Sequence, residues 1–118
     1  MCKEDVRIKR RVYANPTVNR TTAAVATDPW LTANPNRAAV LVALVDGDVA
    51  STLTVRVETG SFGGPMLGVL SIFNPSVLFE LERYGNAVTQ AIFLRPLTAS
   101  GQNLYVVEYT WLEDLEKL

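Results

Sequence analysis

The chain has 118 residues, of which 48% are hydrophobic and 19% charged, and its formal net charge is −1. This length fits one domain with a sizeable core, and the low charge content hints at a subunit interface. With no histidine and a single cysteine, Cys2, the composition excludes an intrachain disulfide, a thiolate zinc site and histidine-dependent catalysis. We expect folding in a reducing cytosol, because no signal-peptide core and no apolar run of roughly 18 residues is present.

Residues 1–20 are predicted to form a basic arm or an edge strand. They carry six basic and two acidic residues, a net +4, whereas the remainder carries five basic and ten acidic residues, a net −5. Such an arm could bind an acidic protein surface, including that of a neighbouring copy, or it could bind nucleic acid. It could also be an edge strand whose charges are simply solvated. Nucleic acid is disfavoured because no aromatic platform accompanies the charges. The predicted subunit or capsid contacts in this arm are Arg7, Lys9, Arg10 and Arg11.

About seven strands are predicted in chain order, separated by Asn-Pro, Asp-Gly and glycine-rich breaks. Between the breaks, apolar residues recur with the period of two that half-buried strands require, as at Leu53, Val55 and Val57. Asp46-Gly47 predicts a tight hairpin turn. The predicted strands cover residues 6–13, 40–45, 52–58, 66–73, 77–82, 88–95 and 104–111, with an additional short strand considered at 22–26.

This pattern predicts an all-β fold: a single antiparallel β-sandwich, jelly-roll-like, over residues 21–111. The run 38–45 is apolar on both pleat faces, so we expect a central strand covered by the core and by a neighbouring subunit. Residues 112–118 are predicted as a short C-terminal helical tail, because leucines recur every three residues. One or two turns cannot stand alone, so Leu115 and Leu118 become candidate contacts with another subunit or capsid.

The sequence predicts no catalytic, metal-binding or cofactor-binding residue. Glu80 and Glu82 are two apart on a predicted strand, but both are expected to point to water, where an acid catalyst gains no raised pKa. Asp46-Gly47-Asp48 lacks the later ligands of a calcium loop and is interpreted as a turn. The glycine-rich run 60–65 lacks the ending of a phosphate-binding loop. We therefore interpret the chain as non-enzymatic.

Two features leave alternatives open. Tyr105, Tyr109 and Trp111 share one face of a predicted strand and are interpreted as an aromatic core layer, with a sugar-binding platform that includes Trp30 as the alternative. Arg37 follows a turn and precedes a buried strand. Its guanidinium either pairs internally with a carboxylate or carbonyls, or solvates the end of the strand.

The stretch Ala33-Asn34-Pro35-Asn36-Arg37, followed by the apolar residues 38–42, resembles a motif of small β-sandwich proteins in tailed-bacteriophage virions. In that family the motif opens a strand, so residues 34–37 (Asn34, Pro35, Asn36, Arg37) are predicted as a structural turn. The later course is also similar, with a glycine-containing loop, an apolar strand and a late strand that here reads Tyr105-Val106-Val107-Glu108. The basic arm and the acidic tail depart from the family pattern.

The resemblance implies a structural protein of the particle, of the capsid decoration, cement or head-fibre type. We expect a homo-oligomer, with a trimer favoured, that binds the major capsid protein or another virion protein, assembles in the host cytoplasm and binds neither membrane nor cofactor. The alternative is a tail, fibre or baseplate component that binds host glycan through an aromatic surface. A third hypothesis, from the enzyme class, is a glycan hydrolase that uses Glu80 and Glu82.

Overall fold

The computed structural model describes residues 6–22, 28–45, 54–71, 73–97 and 103–117. The described residues form antiparallel strands in two sheets, which confirms the predicted all-β class. The elements are β1 Val6–Ala14, β2 Val18–Thr21, β3 Arg37–Leu44, β4 Thr54–Thr59, β5 Met66–Ser71, β6 Ser76–Glu80, α1 Leu81–Tyr84, a 3-10 helix Gly85–Thr89, β7 Ile92–Pro96 and β8 Asn103–Lys117.

The first sheet has the order β1-β8-β3-β6, and β2 also pairs with β8. Since β3 pairs with β8 over residues 104–110, β2 lies on the same side of β8 as β1. The second sheet has the order β5-β4-β7, and Leu31 forms an isolated bridge with Ile92 of β7. Strands distant in sequence therefore lie side by side within each sheet.

The core lies between the inner faces of the two sheets, in a β-sandwich-like body. Its members are large apolar side chains with little or no exposure, and burying each contributes about 1.5–3 kcal/mol. They include Val40, Val42, Phe79, Leu104 and Val106 from the first sheet, and Val55, Val57, Leu70, Ile92 and Leu94 from the second. In β4 the predicted alternation places Val55 and Val57 in this core.

Three predicted elements are wrong. The predicted strand 77–82 ends at Glu80, and Glu82 lies in α1. Residues 112–117 continue β8 rather than forming a helix, because β1 pairs along the whole of 109–117 and supplies a ladder of hydrogen bonds that a one- or two-turn helix cannot match. The predicted strand 88–95 begins as the 3-10 helix, and β7 starts only at Ile92. Leu118, Asp46-Gly47 and residues 23–26 lie outside the described residues.

A two-stranded extension makes the molecule long. Beyond Trp111, β8 pairs with β1 alone, and we call residues 6–12 with 111–117 the ribbon. The radius of gyration is 17.1 Å and the principal extents are 67 × 27 × 22 Å. A compact domain of this length has a radius of gyration of about 13.5 Å. The ribbon therefore projects from the two-sheet body.

Gly68 of β5 lets the two sheets approach each other. A Cβ atom at this position would lie 2.9 Å from Cε1 of Phe79, a buried ring on β6. We predict that Gly68→Ala destabilises the fold by about 1–3 kcal/mol through overpacking. This loss exceeds the stabilisation of roughly 0.4–1 kcal/mol that replacing glycine by alanine gives, because alanine lowers the conformational entropy of the unfolded chain. Urea unfolding measures the difference.

The control for this prediction is a double-mutant cycle with Phe79→Leu. The smaller side chain relieves the contact, so the double variant should lose less free energy of unfolding than the sum of the single variants. Strict additivity, or wild-type stability in Gly68→Ala, would contradict the proposed close approach.

Candidate functional site

Residues 34 to 37 form a hydrogen-bonded turn that leads directly into β3. The Asn34 side-chain Oδ1 accepts a hydrogen bond from the Asn36 backbone N–H at 3.0 Å, and the Asn34 carbonyl accepts one from the Arg37 N–H at 3.1 Å. Asparagine suits this position because its short amide closes such turns on the backbone. The Asn34 N–H donates to the Thr89 carbonyl, which fastens the turn to the 3-10 helix.

Arg37 is fully buried, and all five of its guanidinium N–H groups have acceptors. Nε lies 2.8 Å and Nη2 2.6 Å from Oε2 of Glu108. The other three bonds reach backbone carbonyls: Nη1 donates to Val88 and Gln90, at 2.9 and 2.7 Å, and Nη2 donates to Thr32 at 2.5 Å. Of the two alternatives for Arg37, internal pairing is the one observed.

A β-bulge turns Arg37 inward. In β3, Arg37 pairs with Thr110 and Ala39 pairs with Tyr109, so Ala38 is an extra residue in the ladder. Regular alternation from Val40 would place residue 37 on the outer face of the sheet. The bulge reverses this direction and leaves Ala38 and Ala39 together on the outer face, where both line the same groove.

Glu108 of β8 is the anionic half of this cluster, which we call the clamp. Its Oε1 accepts from Asn15 Nδ2 at 2.5 Å, and its Oε2 accepts from Asn34 Nδ2 at 3.2 Å as well as from Arg37. Burial by itself raises the pKa of Glu108, but the hydrogen bonds from Arg37, Asn34 and Asn15 and the charge of Arg37 outweigh it and hold the pKa below the ordinary 4.5. Thr110 Oγ1 accepts from both asparagines.

The clamp is architectural. It joins the end of β1, the turn, β3, β8 and the segment around the 3-10 helix, and every donor of its arginine is already used. A guanidinium with no spare donor has nothing to offer a ligand. Function must therefore be sought on the surface.

The outer face of the first sheet carries the aromatic side chains of β8. Leu104 and Val106 are fully buried in the core, so the alternate residues Tyr105, Tyr109 and Trp111 point the opposite way and are half-buried. The predicted aromatic core layer is therefore wrong. The polar residues Glu108 and Thr110, which argued against an inward face, point inward because the clamp satisfies them.

An apolar groove of about 450 Å³, the outer groove, crosses this face beside the base of the ribbon. Two of its side chains, Val12 and Leu78, are each 45% exposed. Small alanines from the bulge form its floor, and Glu80 and Glu82, both exposed, form part of its wall. The lining residues are Val12, Ala38, Ala39, Leu78, Glu80, Leu81, Glu82, Tyr109 and Trp111.

Trp30 does not belong to this surface. It is only 5% exposed in the core, and the Arg20 guanidinium lies 5.0 Å from its ring centroid. The predicted sugar platform therefore loses one of its aromatic members. Among the side chains that the structure describes, no group of three or more histidine, cysteine or carboxylate ligands could hold a metal ion.

A second buried carboxylate, Glu58 of β4, lies under the glycine-rich loop. Its Oε2 is 2.7 Å from Arg56 Nε, though without hydrogen-bond alignment, and 3.1 Å from Arg95 Nη2. Its Oε1 accepts the Gly63 N–H at 2.8 Å. The loop 60–65 therefore covers an ion cluster of β4 and β7. The sequence offers no means of pairing these charges, because Glu58 and Arg95 are 37 residues apart.

The predicted contact residues lie in the ribbon. Arg7, Lys9, Arg10 and Arg11 are all in β1, and Leu115 is in β8, whereas Leu118 lies outside the described residues. The register sets oppositely charged residues across from each other, in the pairs Arg7↔Glu116, Lys9↔Asp114 and Arg10↔Glu113. The basic strand that we expected to seek an acidic partner thus lies beside the acidic tail of its own chain.

Sequence reasoning missed Glu108, Asn15 and Thr110. One signal was available, because Glu108 interrupts an otherwise apolar and aromatic strand, and an acid at such a position needs a partner. The choice of partner was not available, since Arg37 is 71 residues away and the bulge that aims it has no marker in the sequence.

We predict that Glu108→Gln destabilises the protein by about 3–5 kcal/mol at neutral pH, because it leaves a buried guanidinium without its counter-charge. The folded-state pKa of Glu108 lies below 4.5, so its contribution to stability is complete above that pH and is lost as pH falls through the folded value. The difference between wild type and variant should therefore shrink with acidification from pH 5 downward. Denaturant unfolding at several pH values measures it.

Glu82→Gln is the matched control, because Glu82 is exposed on α1 and outside the clamp. Its effect should stay within about 0.5 kcal/mol. An equal loss in the two variants, or a Glu108→Gln deficit that grows toward acid, would contradict the assignment.

No protein-family model and no curated protein matches this chain. Within the described residues, no helix is long and apolar enough to cross a membrane.

Proposed function

We propose that this protein is a structural component of a tailed-phage virion, a capsid decoration or cement protein that binds and stabilises the head. In this proposal it has no catalytic role, works as a homo-oligomer and binds the major capsid protein or another virion protein. It would assemble in the host cytoplasm and remain in the particle. The phage-like motif at residues 33–42 supports the virion setting, and the outer groove supports a role in binding another protein.

We also infer a jelly-roll topology. An eight-stranded jelly roll is a long antiparallel hairpin rolled up, so its strands pair first with eighth, second with seventh, third with sixth and fourth with fifth. Here β1 and β2 together count as the first strand of the jelly roll, and the segment around Leu31 counts as the second. The first strand then pairs with β8, and the second contacts β7 through the bridge between Leu31 and Ile92. The two remaining pairs are β3 with β6 and β4 with β5. This fold is common in viral capsid domains.

The outer groove is the observation that carries the proposal. It is concave and mainly apolar, and it presents Trp111 and Tyr109 beside two exposed aliphatic side chains. Tyrosine and tryptophan are enriched in protein interfaces, and grouped apolar exposure on one face indicates a binding surface. A decoration protein needs no more than this, because a ligand that binds only the assembled shell stabilises that shell by mass action.

The proposal predicts that purified protein binds expanded capsids and raises their melting temperature. Leu78→Lys places a charge in the groove and should weaken binding at least about tenfold, the effect of losing roughly 1.4 kcal/mol. Met66→Lys is the matched control, because Met66 is 51% exposed but lies on β5 of the other sheet. Capsid co-sedimentation and calorimetry measure both effects. If the wild-type protein neither binds nor stabilises capsids, the decoration role is lost.

A second candidate is a tail, fibre or baseplate component that binds host glycan. The side-by-side placement of Trp111 and Tyr109 with the carboxylates of Glu80 and Glu82 favours it, because aromatic faces stack on pyranose rings and carboxylates accept hydrogen bonds from hydroxyls. This candidate predicts glycan-array binding that falls at least about tenfold in Trp111→Ala. Signal that survives this substitution, or no signal from the wild type, would count against it.

A further inference from the structure

We propose that copies of this chain join head to tail through the ribbon, with the outer edge of β1 in one copy pairing with the free edge of β8 in the next. The inference rests on the proposed homo-oligomeric state and deepens it by naming the contact and its symmetry. The occupant of each edge is a second copy of the chain.

Among the residues that the structure describes, none pairs with either outer edge of the ribbon, so both edges are open there. β1 ends the order of the first sheet, and β8 beyond Trp111 has no partner on its β3 side in the part of the chain described. The Trp111 N–H donates to the Asn36 carbonyl on that side, whereas the Glu108 carbonyl accepts from Asn15 on the β1 side. By strand alternation, residues 113, 115 and 117 therefore direct their backbone N–H and C=O groups to the free edge.

These open edges are a ready template for another strand. Unpaired backbone groups along an edge recruit a strand from another chain unless the edge is covered. An isolated two-stranded ribbon is also only marginally stable in water, whereas three or more strands support one another. Pairing between copies supplies the missing neighbours on both edges.

Charge decides which edges meet. The β1 half of the ribbon holds Arg7, Lys9, Arg10 and Arg11, and the β8 half holds three acidic residues, Glu113, Asp114 and Glu116, against one basic residue, Lys117. A two-fold contact of β1 with β1 would oppose basic residues, and a contact of β8 with β8 would oppose acidic ones, both of which are unfavourable. Only β1 against β8 of another copy sets strands of opposite net charge side by side, as the strand register within the chain already does.

The consequence is a heterologous contact, which uses two different surfaces of each copy. Such contacts generate a closed ring when the rotation between copies returns to the start. A closed ring leaves no ribbon edge free, whereas a two-fold dimer through like edges leaves the other edge open. The charge distribution thus points to a head-to-tail assembly, which is a cyclic oligomer where the rotation closes, rather than to a two-fold dimer.

The test uses a reversed ribbon, with Arg7→Glu, Lys9→Glu, Arg10→Glu, Glu113→Lys, Asp114→Lys and Glu116→Lys in one chain. This variant keeps the net charge and the opposite-charge pairs within the ribbon, so it should fold and self-assemble. A mixture with wild type, allowed to exchange subunits, is then analysed by native mass spectrometry. We expect at least about tenfold fewer mixed oligomers than random exchange gives, because every mixed junction opposes like charges.

Each other result overturns the proposal. A contact through like edges would favour mixed oligomers, since reversal turns its repulsion into attraction. Random mixing would place the contact away from the ribbon. A monomeric wild type at all concentrations would remove the assembly itself.

A second experiment removes one backbone donor from the free edge. Leu115→Pro deletes an N–H that points away from β1, and proline is tolerated on sheet edges. Leu115→Ala is the matched control, because it shortens the side chain and keeps the N–H. We expect Leu115→Pro to raise the dissociation constant of the oligomer at least about tenfold over Leu115→Ala, measured by analytical ultracentrifugation. Equal association of the two variants would exclude pairing through this edge.

The capsid assay separates this inference from the proposed function. Oligomers that form through the ribbon without binding capsids would leave the inference standing and remove the decoration role. Monomers that bind capsids would do the reverse.

Discussion

The buried ion pair of Arg37 and Glu108 is the interaction on which the rest of the structure depends. It fixes the start of β3 against the middle of β8, and through its carbonyl acceptors it also holds the segment before β3 and the residues before β7. Taking two charges out of water is expensive, and attraction repays that cost only when the remaining donors and acceptors are satisfied. Here all five guanidinium donors and both carboxylate oxygens have partners. The stretch Asn34-Pro35-Asn36-Arg37 therefore sets how the chain enters the sheet.

The clamp and the outer groove have a common origin in the β-bulge. Aiming Arg37 inward requires one extra residue, and that residue places two consecutive alanines on the outer face. Their small side chains leave a depression between Trp111 on β8 and Leu78 on β6. The interior polar cluster and the exterior apolar groove are thus two faces of the same irregularity. A substitution that straightened the bulge would be expected to lose both.

The sequence predicts a strand correctly where its apolar residues follow one regular pattern. The prediction fails where contacts with distant residues determine the structure. β3, β4 and β6 alternate cleanly or are apolar throughout, and their positions follow from that pattern. Residues 112–117 have helical leucine spacing, but a strand from the opposite end of the chain overrides it. The sequence predicts the aromatic face of β8 in the core, because the opposite face contains Glu108 and Thr110. The distant residues Arg37, Asn34 and Asn15 make those two residues acceptable inside.

The body and the ribbon treat charge in opposite ways. In the body, Glu58 and Glu108 are enclosed, and each is satisfied by arginines and amides of the same chain. In the ribbon, the signs are segregated by strand except at Lys117, with four basic residues in β1 and three acidic residues near the end of β8. Pairing between β1 and β8 of one chain does not require this segregation. Two strands that each carried both basic and acidic residues could form the same number of opposite-charge pairs across the ribbon. Segregation lets the outer edges distinguish a like strand from an unlike one, as the proposed head-to-tail contact between copies requires.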